Sequence, residues 1–215
     1  MSKRTVDPPV RGRPRGRPPS IDRDAALDAA MRAFWSRGYD GVSLSDLTDA
    51  MGLSRPSLYG LFGEKEALFL RALERYGATV GAAPMAAFDA AFDPADPRPA
   101  VRAFLDTSLA NNTAPDGPCG CLFGSCAGAV APQMPKVAAL LDKASSDAGA
   151  RLARAFDRAV AVGSLPDRPT PEMRAVLLLD MMTAQAARAR AGEGQDAIRS
   201  GLDARVDALL ARGRA

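Results

Sequence analysis

Four side chains crowd into one short stretch of this chain, Arg55, Ser57, Tyr59 and Lys65, and each can donate hydrogen bonds. Two of them are cations. Such a set suits a surface of anionic oxygens. Arginine forks onto phosphate or onto O6 and N7 of guanine, while serine, tyrosine and lysine bond phosphate oxygens. A second group carries different chemistry: Cys119, Cys121 and Cys126 form a Cys-x-Cys-x₄-Cys array. Three thiolates can hold a soft metal such as Cu(I) or Zn²⁺. A reachable thiol of lowered pKa can instead sense oxidants or electrophiles. The third reading is three small residues buried at a helix start. The chain has no histidine, which excludes a mixed Cys/His metal site within one protomer and the Ser–His–Asp and Cys–His catalytic arrangements. No Walker loop or dinucleotide fingerprint is present, so neither catalysis nor a cofactor or metal is expected.

The elements that must position the first group are legible. Ser43 followed by Asp46 is a helix-start signal: the hydroxyl accepts from an orphan N–H and the carboxylate favours the positive helix end. Leu44, Leu47 and Met51 then share a face, and Gly52 can end that helix in the left-handed conformation. Ser54 caps the next helix, where Pro56 is tolerated because the first turn needs no N–H partner. Upstream, Ser20 or Asp22 caps a first helix with Leu27, Met31, Phe34 and Trp35 as its apolar stripe and Gly38 at its end. Trp35 is expected to be a packing anchor. A helix, a glycine turn and a second helix make a helix-turn-helix, whose second helix enters the DNA major groove.

Leu47, Ala50, Met51-Gly52-Leu53-Ser54, Leu58-Tyr59, Phe62, Lys65-Glu66 and Ala67-Leu68, preceded by Ala29-Ala30 and Phe34-Trp35-Ser36-Arg37-Gly38-Tyr39, carry a resemblance. Together they resemble the DNA-binding domain of TetR-family regulators, over residues 20 to 70 or so. The resemblance implies that Tyr59 and Lys65 contact phosphates and fix the docking register. By position, Arg55 starts the recognition helix, where it either reads a guanine or holds a phosphate. Ser43 would offer its hydroxyl and helix N-terminus to a phosphate, and Ser54 and Ser57 complete the set. Gly60 and Leu61 depart from the bulkier or polar residues common in relatives, which implies fewer contacts there.

The formal charge of +3 hides an asymmetry: in residues 1–23 seven cations against two carboxylates leave +5, and the remaining 192 residues carry −2. That basic block usually marks a polyanion partner. Arg11-Gly12-Arg13-Pro14 and Arg15-Gly16-Arg17-Pro18 cannot fold alone and are expected to form a disordered arm over residues 1–19. The arm resembles an AT-hook, in which Arg13, Arg15 and Arg17 would lie along the narrow minor groove of A·T-rich DNA. The alternative is a tail that touches phosphates without preference. Either way it raises affinity and steepens the salt dependence.

Beyond the expected DNA-binding domain (20–66), abundant alanine and few aromatics predict an all-α second domain over 67–212. The stripes are Leu68 to Val80, then Val101 to Leu109 after a proline-punctuated connection from Pro84 to Pro99, and a long helix from Val137 to Ala159. Two more follow: Met173, Val176, Leu177, Met181 and Ala184, then Ile198, Leu202, Val206, Leu209 and Leu210. The resemblance implies that these last two, about 170–190 and 195–211, pair with their copies in a homodimer. Otherwise the stripes cover only their own domain. Asp180 on such a stripe either meets an arginine or a ligand, or sits at its solvent edge. Gly120-Cys121-Leu122 is similar to a segment beside the effector pocket of some members. The charge pattern and the lack of an apolar membrane span predict a soluble cytoplasmic protein. The expected function is a regulator, most simply a repressor that leaves a palindromic operator when a small effector binds. Alternatives are a redox, electrophile or metal sensor working through Cys119, Cys121 and Cys126, or an effector-independent architectural DNA-binding protein.

Overall fold

Of the two candidate caps, Asp22 opens the first helix: its carboxylate accepts from the N–H groups of Asp24 and Ala25, both at 3.1 Å. The structure, a computed structural model, describes residues 22–211; the expected arm with Arg13, Arg15 and Arg17 lies outside them. Helix α1 (Arg23–Arg37) ends at Gly38, whose φ of 76° only glycine adopts without strain. Helix α2 (Leu44–Met51) starts at Ser43 and stops at left-handed Gly52, and α3 (Arg55–Phe62) starts at Ser54 with Pro56 in its first turn. Helix α4 (Lys65–Ala78) packs back on α1, where Arg75 grips Asp28 through two hydrogen bonds of 2.8 and 3.0 Å. Phe34, Phe69 and Tyr39 pack ring on ring between them.

The connection expected between Pro84 and Pro99 is itself partly helical, as α5 (Ala83–Ala91). Pro84 lies in its first turn, where the ring supports a helix start and breaks nothing, and Phe88 buries against Phe104 and Phe156. Helix α6 (Arg98–Asn112) leads to the cysteine segment, which forms a π-helical turn (Leu122–Ala127) running into the short α7 (Gly128–Val130). The long α8 (Pro135–Ala161) and α9 (Pro171–Arg190) follow. No strand occurs among the described residues, and none of their helices is long and apolar enough to cross a membrane.

The last segment departs from expectation. Instead of one helix it is a short α10 (Gln195–Arg199) and α11 (Leu202–Leu210), broken at Gly201 with φ 76°. Its stripe of Ile198, Leu202, Val206 and Leu209 is buried inside its own protomer. Its polar face is also committed there: Arg98 and Arg102 of α6 pair with Asp203, Arg98 also with Asp207, and Arg199 with Asp106. Fully buried Arg174 adds a tie, donating to the carbonyls of Leu209, Pro166 and Arg168. The apolar stripe of 195–211 is therefore spent within the protomer, and the face it leaves outward carries Asp203, Ala204, Asp207 and Ala208. On α9 the expected stripe faces outward: Met173, Val176 and Leu177 are exposed, as is Asp180, while Ala175, Leu178, Gln185 and Ala186 face the core. Two apolar clusters result. The first joins the three N-terminal helices to α4 and to Leu122, Cys126, Val130 and Val137, and the second fills the space between α5, α6, α8, α9 and α11.

Candidate nucleic-acid interface and effector cavity

The turn between α2 and α3 places the recognition helix by local chemistry alone. Ser54 Oγ accepts from Ser57 N at 3.3 Å and lies 2.9 Å from Ser57 Oγ, so the two hydroxyls hold each other at the helix start. Leu58 and Phe62 bury the inner face of α3, which leaves Arg55, Pro56, Tyr59 and Gly60 outward. Arg55 and Tyr59 are one helical turn apart on that exposed face. Nothing lies within 4 Å of where a Gly60 side chain would begin, so the middle of that exposed face is bare backbone.

Lys65, at the first position of α4, holds its ammonium 4.4 Å from the centre of the Tyr39 ring. Burial, and next Glu66, raise the Tyr39 phenol pKa, so this ring stays neutral beneath the cation. Ser43 is engaged within its own helix. It accepts from Asp46 N at 3.1 Å and donates to Asp46 Oδ2 at 2.6 Å, while its own amide donates to the same oxygen at 2.8 Å. Asp46, held at a pKa of about 2 by the Ser43 hydroxyl first, the Ser43 amide next and Arg37 third, thus occupies the positive end of α2. A phosphate approaching Ser43 would meet that carboxylate.

The cysteines part company. Cys119 is exposed, Cys121 half-buried and Cys126 buried. Cys126 Sγ points at the carbonyl of Trp35 at 3.4 Å, and burial pushes its thiol pKa up. Among the described residues no cluster of three metal-ligating side chains exists, so the three-thiolate metal reading has no geometry here. Cys121 lies on the wall of an open cavity of about 1050 Å³ between α4, α6, α8, α9 and the π-helical turn. Leu73, Leu140, Leu141, Leu179 and Met182 make it largely apolar, and Ser108, Asn111 and Asn112 supply a polar strip from α6. Tyr76 Oη donates to Cys121 Sγ at 3.3 Å. Its ring, almost wholly buried, meets Trp35 and Phe123 edge-on at 5.0 and 5.1 Å, and burial raises its pKa. Gly77 has no side chain because the Phe123 ring lies there, 3.1 Å from where a Cβ would sit.

Tyr76, Phe123 and the α6 strip were not singled out from sequence. The available signal was a tyrosine on an otherwise apolar stripe, a polar tip that must find a partner when buried.

Residues 26–72 match the family described as "Bacterial regulatory proteins, tetR family". CifR, a TetR family transcriptional regulator solved as a cysteine mutant complexed with 26-bp double-strand operator DNA, superposes with a TM-score of 0.79. It is 30% identical, and the match covers 90% of this chain and 99% of that one. The chain belongs to the TetR family. This TetR-family protein is 55% identical over 62 residues to the HTH-type transcriptional repressor ComR of Escherichia coli K12. It is 42% identical over 64 residues to the repressor BdcR of the same organism. These matches span only 30% and 32% of the length of those two repressors, and about as little of this chain.

Proposed function

We propose that this TetR-family protein is a homodimeric transcriptional repressor that reads a two-fold operator through α3 and leaves it when a small apolar molecule fills the cavity. The observation that carries the reading is the exposed face of α3. Arg55 and Tyr59 stand outward on a helix whose other face is used for packing, and Lys65 opens the next helix. In this reading Arg55 reads a base edge, Tyr59 and Lys65 clamp phosphates, and Ser54 and Ser57 set the helix start. Ser43 serves the α2 cap and contributes its helix end only weakly. Arg13, Arg15 and Arg17 of the arm follow the adjacent minor groove. The protein binds DNA and effector without catalysing a reaction, and it works in the cytoplasm, where its operator is.

The exposed apolar face of α9 supports dimerisation. Met173, Val176 and Leu177 are 52%, 51% and 38% exposed, an arrangement that isolated protomers rarely retain. Two such faces in contact would relate two protomers by a two-fold axis, which a two-fold operator with half-sites about one DNA turn apart requires.

The effector class follows from the cavity wall. Aliphatic side chains dominate, and the buried Tyr76 hydroxyl donates to a sulfur, a weak acceptor. A ligand oxygen would take that hydrogen bond over. Glu74 and Asp147 against Lys136 and Lys143 on the same wall leave no net charge to attract an ion, so the fitting molecule is uncharged and apolar, with one hydrogen-bond acceptor. A second reading rests on the position of Cys121 in the same wall: an electrophile entering the cavity would meet its thiol. The test is operator release, measured with the full chain against a panel of uncharged apolar electrophiles and unreactive analogues, with mass spectrometry of each cysteine. Release by unreactive compounds supports reversible binding, and release only with an adduct on Cys121 supports the thiol reading. Retention of the operator with every compound contradicts both.

A further inference from the structure

Arg190 is the last residue of α9, the helix whose Leu179, Met182 and Ala186 line the cavity. Its guanidinium reaches out of the effector domain onto the end of α1. Nη1 donates to the carbonyls of Trp35 at 2.8 Å and Cys119 at 3.2 Å, and Nη2 donates to the carbonyl of Ser36 at 3.1 Å. No carboxylate pairs with Arg190 among the described residues. Its counter-charge is the C-terminal end of α1, where the last carbonyls have no intrahelical partner and carry the negative end of the helix dipole.

Other contacts converge on the same point. The Trp35 indole N–H donates to the carbonyl of Gly120 at 2.8 Å. The Trp35 carbonyl also accepts from Cys126. Gly120 is wedged against α9: at φ 82° a Cβ there would lie 3.0 Å from Arg190 Cβ and 3.1 Å from the carbonyl oxygen of Ala186. The end of α1, the loop 119–121 and the end of α9 therefore form one joint, with the cavity on one side and the helix-turn-helix on the other.

We infer that Arg190 is a positioning residue for operator recognition: its fork across the Trp35 and Ser36 carbonyls sets the angle of α1 from the position of α9. The fork is rigid and planar, and two adjacent carbonyls at a helix end match it in a way a single ammonium cannot. Occupancy of the cavity displaces α9, and α1 carries that displacement to α2 and α3 as a rigid lever. The inference deepens the effector-controlled reading above and rests on it. It names which contact transmits the change, and by reciprocity the operator must then act on the joint as strongly as the joint acts on the operator.

Cys126 reports on the joint, because its thiol is buried against Trp35 and protonated when the joint is closed. The experiment uses the full chain with Cys119→Ser and Cys121→Ser, N-ethylmaleimide as the probe, and an operator selected by the protein from random-sequence duplexes. The alkylation rate of Cys126 is measured with and without operator, and the ratio is compared between Arg190, Arg190→Met and Arg190→Lys, with helicity checked by circular dichroism. The operator is expected to change the rate by about five-fold or more with Arg190 in place. The ratio falls to near one in Arg190→Met, and in Arg190→Lys, which keeps charge and stem but loses the fork. Should Arg190→Met lose helicity, the lysine variant decides. An operator effect that survives either substitution in a folded protein overturns the positioning role while leaving the repressor reading intact. The absence of any selected operator removes the repressor reading itself.

Discussion

Arg55 and Asp46 show how single side chains divide the labour at this interface. Arg55 is free of intramolecular partners among the described residues, so its donors are available to a base edge or a phosphate. Arg55→Ala is expected to cost about 1–3 kcal/mol of operator affinity and to relax preference at one base position. A binding-site logo unchanged from the wild type would assign Arg55 to phosphate. Asp46 works in the opposite direction, as structure. Its folded pKa of about 2 lies below the ordinary 3.8, so its contribution to stability is present above the unfolded value and lost as pH falls towards the folded one. Thermal unfolding of the wild type and Asp46→Asn should differ above about pH 4 and converge as the pH approaches 2. A gap that does not narrow over that window would mean that the capping box is not what the carboxylate supports. Capping residues of this kind were readable in the sequence because they act on N–H groups two or three residues away. Arg190 was not, because its partners lie some 155 residues distant in the chain.

At the scale of elements, α1 to α3 were legible because each begins with a capping side chain and ends on a glycine of positive φ, and α4 was legible from its apolar spacing alone. Helix α5 was hidden by Pro84, which marks a helix start as readily as a turn. Helix α9 was found, but its facing was ambiguous: Ala175, Leu178 and Ala186 on one side and Met173, Val176 and Leu177 on the other are both apolar. Only packing shows which side is spent within the protomer. The segment 195–211 read as one long stripe because its apolar spacing continues across the break at Gly201. The recognition helix supplies an element-scale prediction. Gly60 is exposed, helical and unneighboured, so Gly60→Ala should raise the unfolding free energy by about 0.5–1 kcal/mol. Chemical denaturation reads this directly, and no gain would point to a contact around Gly60 that the exposed helix does not reveal. Loss of operator binding in the same variant would show that the bare backbone lies against DNA.

At the scale of the whole molecule, the reading requires two protomers and an arm. Val176→Asp places a carboxylate in the middle of the exposed α9 face without disturbing the protomer core. Sedimentation should then show monomers and operator affinity should collapse; a variant that remains dimeric would move the interface elsewhere. Deleting residues 1–19 removes Lys3, Arg4, Arg11, Arg13, Arg15 and Arg17. The slope of log K against log[salt] should flatten by about 0.9 for each of these cations that rests on a phosphate, and an unaltered slope would place the arm off the DNA. Repression of the kind proposed requires that a dimer of this chain read a short two-fold site. The most direct measurement is a footprint of the full-length protein on duplexes it selects from random sequence. Protection of one short dyad is expected, with half-sites centred about one helical turn apart. Broad coating of A·T-rich DNA, or a protected site without two-fold symmetry, would contradict it.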